Sequence, residues 1–375
     1  MSEYQYYEFQ AIDRPLTAAD REALRNLSTR ARITATSFTN SYEWGDFKGD
    51  PTKLMERWFD LHLYLANWGS RRLMIRLPTR LIDRDRLDAF LGEVDCVKLT
   101  QFGENFILDI ARDEIEFDGW DDGSGWLAAL APLRAELLSG DLRLFYLLWL
   151  TAVEADSFEA DELEPMPGIG PITGALEAFA NFFGIEPDLV QAAAERPGVA
   201  SEDGLSSDAI RNVIAAIPDS AKTGLLVRLF DGDPHVVAEL RASVRKGREP
   251  GVSATAPRTV SELRARADAI RLAREHAETN KAAAERRRQA DAAEKARHAR
   301  LEVLRRRGES AWREVEDEIE RRNSTSYDKA AALLFDLRVL AEKLGTTDEF
   351  RRRLHAIRER HARKERFIER LAALG

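Results

Sequence analysis

The first third of the chain contains short apolar runs that are typical of β-strands. Residues 4–12 and 33–39 are rich in aromatic and β-branched side chains, and apolar positions alternate over residues 73–77, where a proline follows. Two further runs, residues 97–102 and 106–111, flank a Gly-Glu-Asn turn. This spacing predicts a hairpin at the end of a sheet.

Helical patterns interrupt these strands twice. Thr17 stands at the N-cap of a predicted helix, with Asp20 at its third position. After a glycine-rich loop, residues 51–68 place large apolar side chains 4, 3, 4 and 3 residues apart, on one face of a second predicted helix. The members of that face are Leu54, Trp58, Leu61, Leu65 and Trp68. We therefore expect an α+β fold, with an N-terminal mixed sheet and helices that cover one of its faces.

The remainder of the chain reads as helical. Every periodic segment from residue 126 to about 245 has helical spacing, and residues 247–257 then combine Gly, Ser, Thr and Pro as a linker does. Thr259 caps a helix that is predicted to run to about Arg307, on the order of 70 Å. Leu263 and Ile270 are seven residues apart, but the next positions at this spacing are alanine or polar. The helix is therefore predicted to be a charged rod or a weak coiled coil.

Apolar stripes return near the C-terminus. A break at residues 323–326, with Ser326 as the expected cap, precedes one stripe that ends at Gly345, and a second stripe follows. Together with the end of the long helix, they predict an antiparallel helical bundle. The first stripe comprises Leu333, Leu334, Leu337, Leu340, Ala341 and Leu344, and the second comprises Phe350, Leu354, Ile357, Phe367, Ile368 and Leu371.

This pattern predicts five segments along the chain. They are an α+β domain (residues 1–123), a helical domain (124–246), the linker (247–257), a long charged helix (258–322) and a helical hairpin (323–375) that packs on the end of that helix.

The last segment also resembles a known tail. The similarity is to the C-terminal tail of bacterial SWIM-type zinc-finger proteins, and it rests on residues 327–334 (YDKAAALL), Asp336-Leu337, Ala341-Glu342, Phe350, Arg358-Glu359-Arg360-His361, Lys364 and Leu371. This resemblance implies a shared helical docking tail. It implies no zinc site, because the zinc finger needs two cysteines and the chain has only Cys96. The N-terminal half resembles uncharacterised bacterial proteins, which implies no function.

Composition narrows the class of protein. The 375 residues are 44% hydrophobic and 32% charged, with a mean hydropathy of −0.40, as in a soluble globular protein. The longest apolar run, residues 142–153, falls short of the roughly 20 residues that cross a bilayer, so we expect no membrane segment. The first residues lack the features of a leader, and a single cysteine suits a reducing compartment, so we expect a cytoplasmic protein.

Charge is divided unevenly along the chain. Residues 1–257 hold 26 Lys+Arg and 43 Asp+Glu, a net charge of −17, whereas residues 258–375 hold 30 and 22, a net charge of +8. Such asymmetry indicates a partner or a docking contact that depends on charge.

Motifs for chemistry are weak. Residues 167–171 (PGIGP) are similar to the hairpin of helix-hairpin-helix DNA-binding modules, but acidic residues precede them, which favours a plain turn. Residues 118–123 look like a calcium loop, yet Ala129 stands where a bidentate glutamate is expected. The six histidines lack metal-ligand spacing, and His62 is expected to be a packed histidine on the second helix. We assign no catalytic, cofactor-binding or metal-binding residue and expect no cofactor.

Two sets of residues are candidates for partner binding. The first is an aromatic loop with neighbouring arginines: Tyr42, Trp44, Phe47, Arg71 and Arg72. Its aromatic members are good interface anchors and equally good core residues. The second set consists of basic triplets on the long helix: Arg286, Arg287, Arg288, Arg305, Arg306 and Arg307. A solvated helix face is the alternative for them.

We therefore expect a bacterial interaction or scaffold protein that docks a partner protein through its basic helical C-terminal region. A homo-oligomer through the long helix is a further option. Two alternatives stay open: a nucleic-acid-associated protein that uses the arginine-rich third, and an enzyme whose site in the N-terminal body is scattered in sequence.

Overall fold

The computed structural model describes residues 3–82, 84–116, 119–198, 207–246 and 256–372. The chain divides into two compact units, residues 1–273 and 274–375. Nearly all of the predicted linker, at residues 247–255, lies outside the described residues.

The first unit is built on a seven-stranded sheet. Its strands are β1 (Gln5–Gln10), β2 (Arg32–Ile33), β3 (Ser37–Tyr42), β4 (Leu61–Ala66), β5 (Arg71–Pro78), β6 (Val97–Phe102) and β7 (Asn105–Arg112). They follow the order β2-β3-β1-β4-β5-β7-β6, and every neighbouring pair is antiparallel. The α+β class is confirmed, but the expected mixed sheet is wrong. β3 and β4 run in the same direction without pairing, because β1 lies between them.

The helix that the sequence predicts over residues 51–68 is wrong, because β4 occupies its second half. The predicted helix over residues 51–68 is in fact a short helix, α2 (Pro51–Arg57), followed by this strand. Asp50 caps α2 by accepting a hydrogen bond from the backbone N–H of Thr52 at 2.9 Å. In β4 every residue except one is buried, so the apolar run fits both a helical spacing and an alternation. The predicted strand at residues 33–39 is likewise divided, between β2 and β3.

Helices cover both faces of the sheet, whereas one covered face was expected. On one face, α1 (Ala18–Leu27) and α2 pack with a core that includes Phe9, Phe38 and Met74. Thr17 and Asp20 form the capping box of α1, which confirms its predicted start. The other face carries α3 (Arg84–Leu91), α4 (Trp126–Leu130), α5 (Pro132–Leu138), α6 (Arg143–Glu154), α7 (Gly174–Phe182) and α8 (Pro187–Ala194). Both faces of the sheet are covered because the central strands β4 and β5 carry apolar side chains on both faces.

The predicted helical region continues with α9 (Ser207–Ala216), α10 (Asp219–Phe230) and α11 (Val236–Lys246). The long helix is α12 (Val260–Arg307), with 48 residues. Thr259 caps it, since its Oγ1 accepts a hydrogen bond from the N–H of Glu262 at 3.2 Å. Val260 and Leu263 are fully buried in the core of the first unit. The first unit therefore extends beyond the linker into α12, and the division falls at residues 273 and 274.

The second unit contains the rest of α12 and four shorter helices. These are α13 (Glu309–Glu320), α14 (Ser324–Leu344), α15 (Thr347–Arg360) and α16 (Glu365–Arg370), and α13, α15 and α16 all pack on α14. Leu334 and Phe367 are fully buried between them. The predicted end of α14 at Gly345 is confirmed, with a left-handed φ of 71°. Its cap is Asn323 rather than Ser326, because the N–H of Ser326 donates to Oδ1 of Asn323 at 2.8 Å.

Candidate functional site

The central part of α12 exposes every side chain. Residues 272–300 are all exposed, and basic residues outnumber acidic ones among them. Arg286, Arg287 and Arg288 form no ion pair with any described residue. Successive residues of a helix are rotated by about 100°, so the three guanidinium groups point to different sides. This segment offers donors and charge to a partner without any rearrangement of a core.

The second arginine triplet is partly used within its own unit. Arg305 pairs with Glu302 at 3.4 Å, and Arg307 pairs with Glu314 of α13. Arg306 is exposed and has no ion pair with a described residue. Of the two triplets, residues 286–288 are therefore the more available for binding.

The aromatic loop divides between surface and core. Trp44 is 76% exposed, whereas Phe47 is buried, with its ring centroid 5.1 Å from that of Tyr7. Tyr42 is half-buried, and its hydroxyl accepts a hydrogen bond from Nδ2 of Asn40 at 2.7 Å. Among Tyr42, Trp44 and Phe47, Trp44 is the side chain exposed enough to anchor a partner, and Phe47 is a core residue.

The two arginines after β4 face opposite sides of the sheet. Arg71 is 4% exposed and lies 3.4 Å from Asp121, and burial lowers its pKa. Arg72 binds Asp109 through two hydrogen bonds of 2.7 Å, from Nε and Nη2, and this contact raises the pKa of Arg72. Each guanidinium group therefore forms an ion pair within the first unit, and neither is a free surface cation.

Phe47 and Arg72 nevertheless line one cavity, of about 330 Å³. Its floor follows a row of the sheet in which Tyr7, Tyr64, Arg72 and Ala111 are neighbours on four adjacent strands. The loop before α2 supplies the wall opposite, and the full lining is Tyr7, Phe47, Gly49, Pro51, His62, Tyr64, Ser70, Arg71, Arg72, Ala111 and Asp113. The sequence predicts Phe47, Arg71 and Arg72 of this lining as candidates but not the other residues, because it predicts a helix where β4 lies.

Hydrogen bonds hold the two tyrosines of the floor. The hydroxyls of Tyr7 and Tyr64 both donate to Oε1 of Gln5, at 2.7 Å and 3.3 Å, and Nε2 of Gln5 donates to Asp46 at 2.9 Å. Burial raises the pKa of Tyr64 to about 12, and burial likewise raises the pKa of Tyr7. Both phenols are therefore neutral near pH 7. Their hydrogen bonds to Gln5, which itself binds Asp46, hold the two rings in place on the floor of the cavity.

His62 lies on β4, not on a helix. Its Nδ1–H donates to the carbonyl oxygen of Glu8 at 3.0 Å, and its ring stacks on Phe9 with centroids 3.9 Å apart. Burial, with a smaller effect from Arg72, lowers the pKa of His62 to about 3. The imidazole is therefore neutral, and its Nε2 has no hydrogen-bond partner among the described residues.

The glycine turn and the calcium-loop pattern form no binding site in the part of the chain that the structure describes. The N–H groups of Ile169 and Gly170 donate to the carbonyls of Ala193 and Arg196, at 3.2 Å and 2.8 Å, so they are not free to hold a phosphate. Asp118 of the calcium-loop pattern lies outside the described residues. Among the residues that the structure describes, no three His, Cys, Asp or Glu side chains are grouped as metal ligands. No described helix has the length and apolar character that a membrane crossing requires.

Helix α10 has an exposed apolar surface that the sequence-based prediction does not include. Leu226 is 66% exposed, Val227 53%, Leu229 50% and Phe230 92%. The sequence signal was present, since the apolar residues of α10 are not confined to one side of the helix. Contiguous exposed apolar side chains of this kind are common at protein–protein contacts.

Comparisons of the chain with protein-family models, with curated proteins and with solved structures give no match. The resemblance of the C-terminal tail to SWIM-type proteins stays a prediction.

Proposed function

We propose that this chain is a cytoplasmic docking protein that binds a partner protein through residues 272–300 of α12. The observation that carries the proposal is the complete exposure of that helical segment. A long helix without buried contacts depends on alanine content and on charge pairs for its stability. A segment that buries nothing of its own leaves its whole circumference available to a partner.

The charges of the segment indicate the chemistry of the partner. Arg286, Arg287 and Arg288 form no ion pair with a carboxylate of a described residue. Because they point to different sides of the helix, a partner that engages all three must contact more than one side. An acidic protein that places helices against more than one side of α12 meets this requirement. A single row of phosphates on a nucleic acid does not.

The exposed apolar side chains of α10 support the same class of function. Exposed apolar side chains are stabilised by burial against the apolar surface of a protein partner, whereas the phosphate backbone of a nucleic acid offers them no such surface. The single cysteine, Cys96, is a free thiol, which is consistent with the cytoplasm.

Charge reversal tests the proposal. The native chain is cross-linked to its companions in cells, alongside a variant with Arg286→Glu, Arg287→Glu and Arg288→Glu. We expect a stoichiometric acidic protein partner that the variant loses. The matched control carries Arg21→Glu, Arg30→Glu and Arg84→Glu, three exposed arginines of the first unit, and should keep the partner.

Three results would contradict a separate protein partner at this segment. If nuclease treatment releases the companion, the nucleic-acid alternative is correct. If the purified chain sediments as a dimer and the α12 variant as a monomer, the occupant is a second copy of this chain. Retention of the partner by both variants would move the docking surface away from α12, with α10 as the next surface to mutate.

A further inference from the structure

The cavity on the sheet face is a site that the docking proposal does not use. Its volume of about 330 Å³ lies at the lower end of the roughly 300–1,000 Å³ that ligand pockets occupy. Four adjacent strands supply the floor, so the lining side chains are held by sheet register rather than by a loop. Such a floor is preformed for a small ligand.

Aromatic rings form most of the apolar lining. The centroid of Tyr7 lies 4.8 Å from that of Tyr64 and 5.1 Å from that of Phe47. At Gly49 a Cβ atom would approach the ring of Phe47 to 2.5 Å, so the glycine is what lets this ring lie against the loop. Walls made of ring faces and edges favour a flat ligand over a branched aliphatic one.

One buried polar atom of a lining residue has no hydrogen-bond partner among the described residues. His62 is fully buried, and its Nδ1–H is committed to the carbonyl of Glu8. Nε2 must then carry the lone pair, and no described residue donates to it. Buried acceptors are almost always satisfied in folded proteins, so a ligand whose N–H reaches Nε2 would supply the hydrogen bond that this atom lacks.

The charges around the cavity argue against an ionic ligand. Arg72 is neutralised by Asp109, and Arg71 by Asp121. Asp113, which accepts a hydrogen bond from Ser70, adds a carboxylate that would oppose a phosphate or carboxylate ligand. A cationic ligand would gain little, because the Asp113 carboxylate is exposed and water screens its charge. An uncharged ligand needs no counter-ion in the cavity.

We propose that this cavity binds an uncharged, planar heteroaromatic molecule of the size of a purine or pyrimidine base. A ring N–H of the ligand donates to Nε2 of His62. The ring packs against Tyr7, Phe47 and Tyr64, and a carbonyl or ring nitrogen of the ligand accepts from Arg72, whose Nη1 forms no hydrogen bond with a described residue.

Nuclear magnetic resonance of the full chain, with ¹⁵N-labelled histidine, tests the proposal. Adenine, hypoxanthine and uracil are the probes; inorganic phosphate, benzoate and tetramethylammonium are the charged comparators. We expect saturable binding of at least one base with a change in the Nε2 shift of His62, and no competition from the comparators. His62→Phe retains a ring beside Phe9 and should weaken binding by about tenfold or more, the value of one lost hydrogen bond to a ligand.

Two further variants keep the test decisive. His298→Phe changes an exposed histidine of α12 in the same way and should leave the affinity within about twofold. Ala111→Leu adds bulk at an exposed position of the cavity floor and should also weaken binding by about tenfold. If His62→Phe does not fold, this second variant tests the cavity by itself. The proposal is overturned if no base binds up to its solubility limit, if a charged comparator displaces the base, or if binding survives both cavity variants.

Discussion

Arg258 and Glu164 form a buried, two-pronged ion pair in the first unit. Nη2 of Arg258 lies 2.9 Å from Oε2 of Glu164, Nε lies 3.1 Å from Oε1, and their side chains are 6% and 0% exposed. The N–H of Glu164 also donates to the carbonyl oxygen of Arg258 at 2.8 Å, and the N–H of Arg258 donates to Oε1 of Glu164 at 2.8 Å. Tyr146 donates a further hydrogen bond to the carboxylate at 2.6 Å. This pair fixes the chain that leads into α12 on the body of the first unit.

Removal of one partner of this pair should destabilise the first unit. Arg258→Met removes the two-pronged cation of a buried carboxylate and leaves Nη1 of Arg196, 3.7 Å from Oε1, as its remaining ion pair, so we expect a cost of about 3 kcal/mol. The free energy of unfolding, from urea denaturation, measures the loss. Arg266→Met is the control, because Arg266 pairs with Glu195 at the surface, where little change is expected. Equal effects of the two variants would contradict the structural role of Arg258.

The boundary of the first unit should show in truncated chains. Residues 1–273 should fold, because they retain Val260, Leu263, Ala267 and Ile270 in the core. A chain of residues 1–257 loses these four side chains and Arg258, and we expect its free energy of unfolding to fall by more than about 5 kcal/mol. Calorimetric melts compare the two. A chain of residues 1–257 as stable as the longer one would restore the boundary at the linker.

Burial in the second unit distinguishes two substitutions. Leu337 is 6% exposed within the core around α14, so Leu337→Asp should cost at least about 3 kcal/mol through a lost apolar contact and a buried charge. Hydrogen exchange should then show lost protection over residues 309–371. Ala284→Glu, on the exposed part of α12, should leave exchange unchanged. Normal protection in Leu337→Asp would mean that this side chain faces water.

His62 should make the first unit sensitive to acid. Burial lowers the pKa of His62 from 6.5 to about 3, so below pH 6.5 the unfolded chain takes up a proton that the folded chain does not. The free energy of unfolding should fall as the pH falls between these two values, by about 1.4 kcal/mol per pH unit from this residue, and should be unaffected by it above pH 6.5. Urea denaturation of His62→Phe at pH 7, 6 and 5 should give a correspondingly shallower slope. Identical slopes would contradict a neutral His62.

The apolar surface of α10 should tolerate a polar substitution. Because Phe230 is 92% exposed, Phe230→Ser should change the free energy of unfolding by no more than about 0.5 kcal/mol. Thermal melts of the full chain provide the measurement. A loss above about 1 kcal/mol would show that this ring is buried in solution.

Local rules in the sequence determined much of this fold. The capping box at Thr17 and the left-handed turn at Gly345 stand where the sequence predicted a helix to start and to stop. The length of α12 was also predictable, from Thr259 to Arg307, because capping and helical charge spacing act over a few residues. Each of these features depends on neighbours in the chain, which a sequence displays directly.

The tertiary structure alone decided the identity of β4 and the existence of the cavity. An apolar run such as residues 61–66 satisfies helical and strand spacing equally, and only pairing with β1 and β5 resolves it. That pairing then aligns Tyr7, Tyr64, Arg72 and Ala111 in one row, although up to 104 positions separate them along the chain. Strand register is a long-range property, because it depends on which faces the whole sheet must bury. For that reason the sequence could propose Phe47 and Arg72 as candidates but could not bring His62 beside them.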